Sequence, residues 1–281
     1  STGAGILTLN ADGSYTVSGA SDAAINDVLA HLTLAVVPAV GGPRQHLDTD
    51  FSLSVAVTTI ESAPSESGSG QVAQLETTKT FSVPVTVTAV ADGVSKAGAS
   101  VLVEDVTKTI GGDISWTRID SDGSEHVTSV TITGIPAGTT VKYTDMANID
   151  HTFVATGAET ITLSGPHSAA TEAAIRSALD TLTVTAAPNA DANFTLGVAI
   201  TTTDNDASSI TQNFTHSVVV QAVADAPAVS ADNISLNEDA AAALVIRPDR
   251  SADDDNSETL SLRITVPADG SGTIGTLSAT A

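Results

Sequence analysis

The stretch VTVTAVADG at residues 85–93 returns as VVVQAVADA at 218–226, placing Asp92 and Asp225 at matching positions. Four further blocks repeat: LVED (102–105) as LNED (236–239), DAAINDVLAHLTL (22–34) as EAAIRSALDTLTV (172–184), FSLSVAVTT (51–59) as FTLGVAITT (194–202), and DSDGSE (120–125) as DDDNSE (253–258). Blocks recurring in a fixed order mark a tandem array of one folded unit, and offsets that drift between blocks mark loop insertions within it. The order assigns residues 1–92 to the late part of a repeat, 94–226 to one whole repeat, and 227–281 to the early part of another. The chain therefore reads as excised from something longer. Its two outer parts carry complementary portions of a repeat, and exposed strand edges attract partners. They are expected to complete a unit with each other, within one chain or head to tail between chains.

Working outward, Phe51, Leu53, Val55 and Val57 alternate with Ser52, Ser54, Ala56 and Thr58. Phe194, Leu196, Val198 and Ile200 repeat the pattern, as do Leu260, Leu262, Ile264 and Val266. Strict period-two alternation predicts antiparallel strands with one wet face. The single helical signal per repeat is short: Ile175, Leu179 and Leu182, preceded by the candidate cap Thr171, copied by Ile25, Leu29 and Leu32. Pro84 inside a regular strand predicts an edge or a bulge. The expected fold class is all-β: tandem antiparallel β-sandwiches with a short helical connection in each repeat.

Composition narrows the function. Ten Lys and Arg stand against 33 Asp and Glu, a formal net charge of −23, which repels nucleic acid and anionic membranes. So many carboxylates call for counter-charge, and divalent cations supply it where Lys and Arg are scarce. With no cysteine, disulfides, thiolate zinc sites and Cys nucleophiles drop out. No apolar run reaches the roughly 18 residues of a membrane span. The six His are scattered without an HExxH or a close pair, which favours solvated or strand-face roles, with His216 partly buried among Phe214 and Val218. Trp116 alternates with Ile114 and reads as core or as a domain contact.

A repeat that ends in VTAVADG or VVVQAVADAP, restarts with LVED or LNED, and carries DSDGSE or DDDNSE resembles the cadherin-like, Ig-like extender repeats of giant bacterial RTX adhesins, their split-domain variant included. The resemblance implies sandwiches strung end to end, Ca²⁺ at the junctions, and export to the cell surface. Ca²⁺ takes about six to eight hard oxygens, more than any one motif here supplies, so ligands must converge from several. The pool at the first junction is Asp92, Glu104, Asp105, Asp120 and Asp122. At the second it is Asp225, Glu238, Asp239, Asp253 and Asp255. Asp204 and Asp206, in the loop following one long strand, are expected at the end of the unit opposite Asp225, adding ligands near Glu104 and Asp105. The competing reading is that Asp simply favours turns and strand ends.

Three functions fit in different degrees. The first is a non-enzymatic spacer, rigidified by Ca²⁺, that projects ligand-binding domains from a cell and has neighbouring repeats as its partners. A glycan- or receptor-binding adhesion module is the alternative, but it calls for an aromatic-lined pocket, and one Trp and two Tyr are few. A glycan-cleaving enzyme needs a carboxylate pair in a cleft, and no motif places one.

Overall fold

The computed structural model describes residues 5–35, 49–63, 73–120, 123–238, 240–250, 259–269, 272–273 and 275–279. Among the described residues it is all-β apart from two helices and one 3₁₀ turn, and the chain divides into two compact units, residues 1–87 and 88–281.

In the first unit, β1 (Ile6–Leu9) pairs with β2 (Tyr15–Ser18), helix α1 covers Asp22–Ala30, and β3 (Phe51–Ala63) pairs antiparallel with β4 (Ala73–Val85). Ser21 caps α1 by accepting the Ala24 N–H. Among the described residues β3–β4 is a two-stranded sheet, so Pro84 lies on an edge strand and costs no ladder hydrogen bond on its free side. The apolar faces remain exposed: α1 has no buried residue, and Phe51, Leu53, Val57, Phe81 and Val83 all stand open.

The second unit holds the complete repeat. Its strands are β5 (Val94–Ala97), β6 (Ser100–Val103), β7 (Lys108–Thr109), β8 (Ser115–Arg118), β9 (His126–Thr133), β10 (Thr140–Thr144), β11 (Asp150–Val154) and β12 (Ile161–Ser164). Helix α2 (Ala169–Asp180) then leads to β13 (Thr183–Thr185), β14 (Phe194–Thr203) and β15 (Ser209–Gln221). One sheet has the order β12-β9-β14-β15-β6, a second the order β11-β10-β13-β7, and β5 pairs with β8. Every pairing is antiparallel except β6 with β15, which run parallel from Ser100↔Val218 to Val103↔Gln221.

The alternating residues do what their period requires. Leu196, Val198 and Ile200 of β14 point into a core shared with Val130 and Ile132 of β9, Val141 of β10, Val184 of β13 and Ile175 and Leu179 of α2. Both sheets and the helix thus feed one core. Thr171 is not the cap of α2: Ser168, three residues earlier, accepts the Thr171 N–H, so Thr171 lies in the first turn. Trp116 is buried and donates its indole N–H to Glu172, while Arg176 stacks 3.9 Å from its ring centre. His216 is fully buried, held between Lys96 and Ser100.

After β15 come β16 (Ala228–Ala231) paired with β17 (Ile246–Asp249), and β18 (Ala268–Asp269) paired with β19 (Gly272–Thr273). Residues 259–266 take no strand partner, and Leu260, Leu262 and Ile264 are exposed.

Candidate metal centre

Three chain segments meet at the end of the second unit where β15 begins. The first is the incoming irregular segment, residues 86–93. Ala91 donates its N–H to Ser208 Oγ at 3.0 Å and Val94 donates to Gln212 Oε1 at 2.6 Å, which fixes Asp92 between them. The second is the loop from β8 to β9, where Gly123 adopts a left-handed φ of 96° that a side chain would resist. That loop is clamped from outside: Arg118 donates to the Glu125 carbonyl, and His167 Nε2 lies 2.9 Å from the Ser124 carbonyl. The third is the turn from β14 to β15. It is closed by Asp204 N–H donating to Ser208 O at 2.9 Å.

The carboxylates of Asp92, Asp120 and Glu125 gather here, with one oxygen from each lying within 4.8 Å of the others. Glu125 is the centre of the group. It is 1% exposed; Oε1 accepts the Asp92 N–H, and Oε2 is buried with no hydrogen-bond partner. A buried acceptor without a donor is costly. Burial first, then the negative charges of Asp92, Asp120 and Asp204, push the Glu125 carboxyl up to about 7, against the partial relief of the Asp92 N–H. The donors are all oxygens and all acidic, a set that suits a hard divalent cation better than a soft one.

The remaining candidates scatter. Asp204 is buried and adds its charge to the same group, whereas Asp206 is exposed and turns back to accept the Ser208 N–H at 2.8 Å. Glu104 does not join Asp92 and Asp120. Its N–H donates to Gln221 O at 3.0 Å and its Oε2 accepts the Val223 N–H at 2.9 Å, which puts it at the far end of β15. A strand of that length spans roughly 40 Å, so Glu104 and Asp204 serve opposite ends of the unit. Asp105 follows Glu104 in an exposed left-handed turn with φ 57°. Asp225 is half-buried beyond the end of β15, and Glu238 is exposed. Asp122, Asp239, Asp253 and Asp255 lie outside the described residues.

Glu125 is the residue that sequence reasoning passed over. Its signal was present, since DSDGSE and DDDNSE share their last residue as well as their first.

No protein-family model matches the chain, and no curated protein matches it significantly. Among the described residues no helix is long and apolar enough to cross a membrane.

Proposed function

We propose that this chain is a run of Ig-like or cadherin-like β-sandwich modules, stiffened by Ca²⁺, that serves as a non-enzymatic extender in an adhesin secreted to a bacterial cell surface. The observation that carries the reading is Glu125 Oε2, a buried carboxylate oxygen without a donor, set among the carboxylates of Asp92 and Asp120. A divalent cation there would satisfy the orphaned oxygen and offset the mutual repulsion. It would also tie the incoming segment that carries Asp92 to the loop between β8 and β9, and through Asp204 to the β14–β15 turn. Those three segments are otherwise joined by a few hydrogen bonds. Fastening the segment by which the chain enters a module removes bending freedom at that point, which is what a spacer requires.

Calorimetric titration of the chelator-treated protein with CaCl₂, with MgCl₂ as comparator, tests the reading. The expected result is saturable calcium binding that Asp120→Asn weakens at least ten-fold. Absence of binding at millimolar calcium would overturn it.

A further inference from the structure

We infer that the cleft between the 3₁₀ turn Gly111–Asp113 and helix α2 binds a small zwitterion of α-amino-acid size, its carboxylate on Arg176 and its ammonium on Asp180. The cleft has a volume of about 170 Å³, and its lining includes Gly112, Ser115, Trp116, Arg176 and Asp180. Both charged residues stand on α2, one helical turn apart.

Arg176 is held ready for an anion. Its guanidinium lies 3.9 Å from the centre of the Trp116 ring, and Nη2 donates to Glu172 Oε1 at 3.0 Å and to the Trp116 carbonyl at 3.4 Å. Glu172 is itself buried and accepts the Trp116 indole N–H and the Val127 N–H, so the frame around the arginine is fixed. The donors on Nε and Nη1 take no protein partner among the described residues and are open to a carboxylate.

Asp180 supplies the opposite charge. Arg176 pairs with Glu172, four residues before it, and not with Asp180, four residues after it. Among the described residues the Asp180 carboxylate takes no partner. It is the last residue of α2, where a negative charge opposes the helix dipole, and no basic residue occupies that turn to offset it. Neither charge is a requirement of the helix, since α1 carries Asn26 and Ala30 at the matching positions of the recurring block. A lone anion would meet Asp180 in a chain of net charge −23, and a lone cation would meet Arg176. A molecule carrying both charges answers both.

The two glycines of the 3₁₀ turn differ in what they permit. A Cβ at Gly111 would strike the Leu179 carbonyl, so packing requires that glycine. A Cβ at Gly112 would meet only Asp180 Oδ1, at 3.7 Å, an ordinary contact. A side chain there enters the cleft without disturbing the fold.

The chain holds one tryptophan, so the single indole N–H resonance of the ¹⁵N-labelled full chain reports on the cleft. L-alanine is titrated, with acetate and ethylammonium as single-charge comparators. Its few non-hydrogen atoms support a Kd of about a millimolar. The expected result is a saturable shift of the indole resonance, with L-alanine bound at least ten-fold more tightly than either comparator. Asp180→Asn is expected to weaken L-alanine to the level of acetate while melting no lower than wild type, because it removes a charge from the unfavourable end of the helix. Gly112→Val is expected to abolish the shift with Tm unchanged. No saturable shift with L-alanine, equal binding of acetate, or wild-type binding by Asp180→Asn would overturn the inference.

Discussion

Glu125→Gln separates a cation site from an acidic turn, because the two accounts give opposite signs. The Glu125 carboxyl lies at about 7 in the folded protein, against 4.5 for an ordinary glutamate. The folded protein keeps a proton that the unfolded chain releases between pH 4.5 and 7. Stability without metal therefore falls as pH rises through that window, and the loss is complete above about 7. The shift corresponds to up to about 3 kcal/mol at pH 8. Glutamine keeps an acceptor for the Asp92 N–H and turns a donor toward the neighbouring carboxylates, so in chelator at pH 8 it should stabilise by about 2 kcal/mol. At about 3 °C per kcal/mol for a unit of this size, Tm rises by roughly 6 °C. In calcium the order reverses. Wild type gains about 2.7 kcal/mol at a hundred times Kd, and the variant gains little. Melting curves at pH 8 in chelator and in millimolar CaCl₂, followed by circular dichroism, measure both arms. A variant destabilised equally in the two buffers would refute the argument.

Other expectations follow from burial and position. Glu104→Gln should leave calcium affinity within two-fold of wild type by titration, because Glu104 answers Val223 at the far end of β15. Leu179→Ala should cost about 2–5 kcal/mol by denaturant unfolding, and Leu29→Ala less than about 1, because only the first is buried. Burial, and then the Lys96 charge, hold the His216 imidazole below its usual range, with Asp113 opposing weakly. The unfolded chain takes up that proton first, so stability is lost as pH falls below about 6.5. His216→Val, which installs the residue found at the matching position 83, should remove that loss; parallel pH profiles for the two proteins would contradict it.

The strands of the complete repeat were legible because their side chains face one core and one solvent layer, whereas the alternating run Leu260 to Val266, exposed at Leu260, Leu262 and Ile264, forms no strand. Phe194 to Ile200 could alternate only as a half-buried strand, and helix α2 followed from the spacing of Ile175 and Leu179, although Leu182, read with them as helical, lies just past its end at Asp180. The cap was ambiguous because Ser168 and Thr171 are both good caps three residues apart, and only the backbone decides between them. Glu104 could not be placed from sequence, because its position rests on the parallel pairing of β6 with β15, a contact between residues 118 apart with no local signature. Asp92 and Asp120 were legible as recurring acids. Glu125 mattered for a reason composition does not carry, the burial of one oxygen beyond reach of any donor.

The parallel β6–β15 pair also fixes how the second unit bears load. β6 (Ser100–Val103) runs beside Val218–Gln221 of β15 in the same direction, while Val94, upstream of it, is held to Gln212 near the start of β15. Tension applied through the two connections drags these strands past each other lengthwise. Their hydrogen bonds lie across the pull, so they must yield together instead of unzipping one at a time. Rupture under force is governed by the unfolding rate, and shearing a whole ladder at once raises that barrier. A unit built this way would resist a pull along its chain even where its equilibrium stability is ordinary.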